Sequence, residues 1–496
     1  MASFPRGIPH CGSPNRCSKG CFMTMTNRLR RFFGGRGYVI LTALLIFLGH
    51  STFWVEDRLL FDGYQEFLFG GLLILTIDIA CFVCDDLRFL LMPAISSAFI
   101  VPKVHAMGFP YYSEFYLDHG TIALTYVLAL ALIGGLVCFA ARNRANRGSG
   151  ALHSPVFWSM VLFCGLLMLN GIGSRYYSVA DTKYPLTMAF AMLGFYLLFT
   201  AYVRFDGTVC DHFMFCVLVL GGLLLAQLGF TCVDPGPDGI RFTASGGIDK
   251  ISLNFGWGNS NAMGGMLAYL MPAGFYFAYS HRWGWLGYCF GGAMFLGVVL
   301  SQSRGALLAA AVTLLLSVLV LVCGGKNRRV NRILTVLALL GALGVAVLFR
   351  GKLMRLVRTM LEYGTGDTGR FEIWEFAIEK FREYPVFGAG FYTDFHYELW
   401  EKNVYPYFYH NTPLQVLASG GLVAFVAYFC HRVTTVVLTL RKPNAYKTFM
   451  GLCILGLLVF CLFEVIFFAT YPVIVYSVML LFMEKKTALG KSAAVA

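Results

Sequence analysis

Fourteen apolar runs, with the charges pushed into the gaps between them, constrain this chain more than any other feature. They fall near residues 37–55, 67–83, 87–101, 120–141, 155–174, 183–203, 210–231, 262–280, 283–301, 305–324, 332–350, 412–438, 447–468 and 471–483. Most approach the roughly 20 residues a helix needs to cross a bilayer. The third and the last are short, so twelve to fourteen spans are expected. Lipid offers no water to unpaired backbone groups, so such runs cross as helices. Composition agrees: 58% of the residues are hydrophobic and 13% charged, against about 25% charged in a soluble domain. The expected fold is all-α, a polytopic transmembrane helical bundle.

The basic residues cluster in short gaps: Arg28, Arg30, Arg31 and Arg36; Arg142, Arg144 and Arg147; Lys326, Arg328, Arg329 and Arg332; Arg441, Lys442 and Lys447; Lys485 and Lys486. Fourteen spans put all of them on one side, which the positive-inside rule makes cytoplasmic. Both termini are then cytoplasmic. The chain divides into a basic tail (1–36), N-terminal membrane helices (37–231), core membrane helices (232–350), one long outer loop (351–411), C-terminal membrane helices (412–483) and a second tail (484–496). The net charge of +13 is this loop bias, not a nucleic-acid footprint. Residues 1–24 read either as a disordered tail or as residues ahead of a start at Met25. The run after Arg36 lacks a small-residue cleavage site and reads as a retained anchor. Most of the 15 cysteines sit in apolar runs as small hydrophobes. Cys81-Phe-Val-Cys84 has no second pair to complete a metal site, and no disulfide framework is expected.

This topology leaves three segments outside: 232–261, the turn 301–305, and the loop 351–411. In the loop, Phe371, Trp374, Ile378 and Phe381 recur at helical spacing opposite acids and bases. That pattern predicts an amphipathic helix on the outer membrane surface, stopped by Pro385. Lys352, Arg355 and Arg358 run against the positive-inside trend. Long loops obey that trend less strictly, and these cations could instead face an anion.

Four places could carry chemistry. Arg304, in Ser301-Gln302-Ser303-Arg304-Gly305, puts a charge where charge is costly. It either snorkels or captures an anion. Its planar donors match phosphate, Gly305 lets backbone approach, and Ser301 and Ser303 add hydroxyls. Arg370 opens the predicted loop helix, where free amides and the helix dipole favour an anion; the plain alternative is a surface arginine. His410 closes the loop. It is either a base for a hydroxyl proton or an interfacial histidine among aromatics, with Asn411 beside it to orient a substrate. Asn259 and Asn261 open a span, where they cap the helix or bind sugar hydroxyls. Asp78 and Glu464 lie within apolar runs, as functional acids or as structural pairs. The chain has no G-x-x-x-x-G-K-[ST] loop, no cluster with metal-ligand spacing and no Gly-x-Ser-x-Gly elbow.

Ser303-Arg304-Gly305 between spans, Arg370-Phe-Glu-Ile-Trp opening the loop, and His410-Asn-Thr-Pro-Leu-Gln closing it fall in one order on one face. In this the chain resembles the O-antigen ligase and polymerase superfamily of bacterial membrane proteins. Arg370…Trp374…Pro385…Gly388-Ala-Gly390 and His410-Asn411…Leu414-Gln415…Gly420-Gly421-Leu422 are similar to the family's loop motifs. Asn259-Ser-Asn261-Ala resembles its N-P-N-x-A motif, with serine in place of proline. The resemblance covers roughly residues 230–470. It implies a GT-C-like fold in the bacterial cytoplasmic (inner) membrane, with an extracytoplasmic active site. It implies transfer of a glycan from a polyprenyl (undecaprenyl) pyrophosphate carrier to an acceptor hydroxyl, with no metal and no cofactor. Arg304 and Arg370 would bind the pyrophosphate, and His410 would be the base or a positioning residue. Arg355 and Arg358 would help hold the carrier headgroup, and Ser303, Asn259, Asn261 and Asn411 the substrates. Partners would be the lipid-linked donor, a glycan, lipid or cell-wall acceptor, and the bilayer. The rival reading is a transporter or flippase of a lipid-linked or anionic substrate. Its paired broken helices are not evident, because the distinctive features gather in the second half.

Overall fold

The computed structural model describes residues 25–51, 64–102, 119–148, 150–177, 179–234, 249–351, 370–391 and 408–492, with a few short pieces between them. Lys352, Arg355 and Arg358 lie outside the described residues.

Each apolar run contains helix. Helices span Arg36–His50, Gln65–Val83, His119–Arg142, Pro155–Leu167, Val209–Val233, Gly284–Leu300, Arg304–Cys323, Arg328–Leu348, Thr412–Leu440, Ala445–Phe460 and Thr470–Ser492, among others. Apart from the two-residue antiparallel strands Trp54–Val55 and Arg58–Leu59 and one isolated bridge, the described architecture is helical. The chain is an all-α, multi-pass membrane protein.

Fewer helices are full-length spans than the twelve to fourteen expected. Among the described residues, seven are long and apolar enough to cross, or eight if Met25–Phe33 and Arg36–His50, bent by 63°, count as one. Helix length explains the difference. Leu87–Ile100, Pro155–Leu167, Gly284–Leu300 and Ala445–Phe460 are shorter than 18 residues, and about 1.5 Å per residue leaves them under the ~30 Å hydrocarbon core. The run 262–280 divides into Ser260–Leu270 and Pro272–Ser280, because Pro272 has no amide for the Ala268 carbonyl.

The centre of the bundle packs Ser260–Leu270, Pro272–Ser280, Gly284–Leu300, Arg304–Cys323 and Ala445–Phe460 against one another. Small residues let them approach: a Cβ on Gly274 would lie 2.7 Å from the Gly291 amide nitrogen, a close crossing of the kind membrane helices favour.

The loop helix forms over Arg370–Glu383 and packs on Thr412–Leu440. Phe371 and Ile378 on its predicted apolar face stay exposed. A second face, Ile373, Phe376 and Ala377, packs with Tyr409, Leu414 and Ala418. Lys380, also buried, donates to the Tyr176 hydroxyl at 2.8 Å and to Glu383 at 3.1 Å.

Behind this helix the backbone interlocks. Thr412–Leu440 breaks at Gly421 (φ 66°, ψ −169°), where a Cβ would lie 2.2 Å from the Val386 carbonyl oxygen. The loop Pro385–Gly390 takes up the freed groups. Ala389 and Gly390 donate to the Ala418 and Ser419 carbonyls at 2.8 and 3.1 Å, and Leu422 donates to the Pro385 carbonyl at 2.8 Å. Irregular backbone at a membrane is tolerated only when its polar groups are satisfied in this way.

Candidate functional site

The site begins at the turn between Gly284–Leu300 and Arg304–Cys323. Gln302 adopts a left-handed conformation (φ 54°), uncommon for a residue other than glycine. Ser301 is fully buried; its hydroxyl donates to the Val298 carbonyl at 2.7 Å and accepts from the Ser303 amide at 3.3 Å. Ser303 caps the next helix, accepting from the Ala306 amide at 3.4 Å. Both hydroxyls are therefore engaged in shaping the turn. Gly305 seats it: a Cβ there would fall 2.7 Å from Cβ of Phe463. Arg304 opens the helix and lines a cleft of about 160 Å³ with Lys250, Asn261, Arg370, Phe463 and Glu464.

Glu464 is the hub of that cleft. It lies between Ala445–Phe460 and Thr470–Ser492, and its side chain is 14% exposed. Oε1 accepts from Nη2 of Arg370 at 3.2 Å and from Nδ2 of Asn261 at 3.0 Å. Oε2 lies 2.9 Å from Nδ1 of His410. A carboxylate paired with Arg370 accepts, so Nδ1 of His410 donates to it, and in the neutral imidazole Nε2 is then the acceptor. Asn261 also accepts from Nζ of Lys250 at 2.9 Å. The Lys250 pKa is lowered, first by partial loss of solvent and then by Arg370, with Arg304 adding to it against the pull of Glu464.

The His410 turn is held from several directions. His410 is itself left-handed (φ 48°), a conformation that costs about 1–3 kcal/mol and persists only where the surroundings fix it. Trp374 donates from Nε1 to the Tyr409 carbonyl at 3.0 Å. The Tyr409 amide donates to Oε1 of Gln415 at 2.9 Å, and Gln415, fully buried, donates to Ser419 at 2.8 Å. Asn411 caps Thr412–Leu440, accepting from the Leu414 amide at 3.0 Å, and donates to the Leu462 carbonyl at 3.0 Å. Thr412 donates through its amide to the Cys461 carbonyl at 2.8 Å and through its hydroxyl to the Glu464 carbonyl at 2.9 Å. These bonds clip the His410 turn to the Glu464 turn.

Of the residues singled out in the sequence, Arg304, Arg370, Ser303 and Asn261 line the cleft, and His410 joins it through Glu464. Asn259 caps Ser260–Leu270, accepting from the Ala262 amide at 3.1 Å. It lines a neighbouring cleft of about 380 Å³ with Asn261, Glu464, Tyr184, Phe408 and Tyr471. Asp78 lies elsewhere, its Oδ1 facing Gly135 between Gln65–Val83 and His119–Arg142. Sequence reasoning missed Lys250, whose surroundings carry no periodicity or motif, and the roles of Trp374 and Gln415. It named Glu464 without a partner; the structure supplies three.

Three cations around one carboxylate leave the cleft with more positive than negative charge, an arrangement that suits a multiply charged anion. In the neutral imidazole the pairing through Nδ1 leaves Nε2 able to accept a proton. Among the described residues no group of three or more His, Cys, Asp or Glu side chains could hold a metal ion.

Residues 289–429, under a third of the chain, match the family model described as O-antigen ligase. That stretch contains Arg304, Arg370 and His410; Lys250, Asn261 and Glu464 lie outside it. No curated protein matches the chain.

Proposed function

We propose that this chain, whose residues 289–429 match the family model described as O-antigen ligase, acts as a ligase or polymerase of that kind and moves a glycan from a polyprenyl pyrophosphate carrier to an acceptor hydroxyl. A role in glycan biosynthesis at a membrane is what the O-antigen ligase match supports. The transfer chemistry is supported by one observation: Lys250, Arg304 and Arg370 share a cleft whose carboxylate also holds His410.

In this reading the pyrophosphate sits among the three cations. The acceptor oxygen attacks the anomeric carbon while Nε2 of His410 takes its proton. The bond from that carbon to the pyrophosphate oxygen breaks, and the electron pair leaves with the phosphate. Fixed cations stabilise the charge that develops there, and each such donor is worth about 10²–10³ in rate. Glu464 keeps the histidine in the required tautomer and favours the imidazolium that forms, as the acid of a catalytic triad does. No metal or other cofactor has a role in this scheme. Asn259, Asn261 and the aromatic rings beside them suit sugar hydroxyls and ring faces. Asn411 and Ser303 act through backbone capping, and Arg355 and Arg358 would add charge for the carrier headgroup. The site faces outward from the bacterial cytoplasmic membrane, consistent with the inward bias of the short basic loops.

Arg304→Lys tests this directly. It keeps the charge and loses the two-pronged donor, so glycan transfer should fall steeply while protein abundance stays normal. Full activity of Arg304→Ala would end the clamp reading.

A further inference from the structure

A second arginine-lined cavity, of about 450 Å³, lies at the other end of the bundle, bounded by Arg30, Arg31, Arg88, Arg204, Asp85 and Asp86. The Arg36–His50 helix separates the two ends. It starts just after Gly34, which lines the cavity. It finishes at His50, whose Nδ1 lies 2.7 Å from the Val101 carbonyl. Next to Val101, the Pro102 carbonyl abuts Gly256, at the foot of the Asn259 turn. Fifteen residues at about 1.5 Å each place the cavity roughly a bilayer leaflet or more from the catalytic cleft.

The carboxylates of this cavity are already engaged. Asp85 pairs with Arg30 at 3.0 Å and with Arg142 at 3.7 Å. Arg88 pairs with Asp86 at 3.0 Å and Asp206 at 2.8 Å. Among the described residues, neither Arg31 nor Arg204 has a carboxylate partner, and both are exposed. The cavity thus keeps a positive surplus. Its wall includes part of the Met25–Phe33 helix, which turns 63° away from the helix that follows. Met25 and Phe32 on that helix are 60% and 42% exposed. A basic helix that leaves the span direction with apolar side chains uncovered has the form of an interfacial helix.

We propose that this cavity binds the phosphate headgroup of an anionic phospholipid, held by Arg31 and Arg204, with its acyl chains beside Phe32 and Met25. A soluble phosphate would satisfy the arginines and leave those apolar side chains uncovered. That difference favours the lipid.

Native mass spectrometry of the full-length protein in detergent tests the assignment, with phosphatidylglycerol and phosphatidylcholine of matched chains as probes. Wild type should retain phosphatidylglycerol over phosphatidylcholine by about tenfold or more, from about 1 kcal/mol per arginine near the phosphate. Arg31→Ala with Arg204→Ala removes no ion pair and should abolish the preference. Each single variant should reduce it, which keeps the test valid if the double variant does not purify. Equal retention of the two lipids, or an unchanged preference in every variant, would overturn the proposal. Thermal stabilisation by millimolar inorganic phosphate that matches the effect of phosphatidylglycerol would assign the cavity to a soluble anion and overturn it as well.

Discussion

The two arginine-rich ends of the molecule use the same residue differently. At one end Asp85, Asp86 and Asp206 each meet an arginine, so the ion pairs join neighbouring segments. At the other, Lys250, Arg304 and Arg370 surround one carboxylate, which is also shared with His410. In the first, Arg30, Arg88 and Arg142 are matched by carboxylates, and the surplus falls on Arg31 and Arg204. The second is left short of negative charge, and its turns at Gln302 and His410 are held in left-handed backbone. Arginines each matched to a carboxylate hold segments together; several cations sharing one carboxylate beside a strained, well-supported turn suit a charged substrate. The contrast also explains why the site tolerates strain, since the bonds from Trp374, Gln415 and Thr412 fix the backbone that carries the chemistry.

That contrast can be broken by substitution. His410→Ala should have the largest effect, a loss of about 10²–10⁴ in the rate of transfer at saturating donor, with donor binding retained. Arg304→Ala or Arg370→Ala should each cost about 10²–10³, seen as slower release of carrier pyrophosphate. Glu464→Gln keeps the shape and removes the charge that both Arg370 and His410 use. It should lower turnover by about 10–100-fold, the scale of a lost supporting contact. If it behaved like wild type, the hub role of Glu464 would be wrong.

Lys250 sharpens the contrast through pH. Its pKa is lowered by partial loss of solvent and by Arg370 and Arg304, so some of its proton is surrendered before that of an ordinary lysine. A bound polyanion favours the protonated form. Donor binding should therefore take up a proton, and donor affinity should fall as pH rises through the lowered pKa. Lys250→Arg should remove that dependence in a binding titration across pH. The smallest effect belongs to the carboxylate-matched arginines: Arg142→Gln should change stability by about 0–1 kcal/mol in a melting measurement and leave turnover unaltered.

Much of the fold was legible in the apolar runs, because each contains a helix. Span number was not, because a run says nothing of where Pro272 or a short turn ends its helix. Helix Arg370–Glu383 was legible from Phe371, Trp374, Ile378 and Phe381. Its inward face was not, since Ile373, Phe376 and Ala377 become a face only once Tyr409 and Ala418 lie against them. Arg304, Arg370 and His410 stood out because charge is costly beside spans and because their motifs run in order. Lys250 had no such signal, and Glu464 had no visible partner 54 residues from His410. Ser303, Asn259 and Asn411 show the opposite ambiguity: the same side-chain oxygen that would bind a substrate also caps a helix, and all three cap one.

The most direct measurement is release of polyprenyl pyrophosphate. Purified protein would be incubated with lipid-linked glycan from its own host and an acceptor, without nucleotide or added metal, beside His410→Ala and Arg370→Ala. Acceptor-dependent release that both substitutions abolish is expected, with the glycan recovered on the acceptor. Movement of intact lipid-linked glycan across a liposome membrane, with no carrier released, would contradict it and make the protein a transporter.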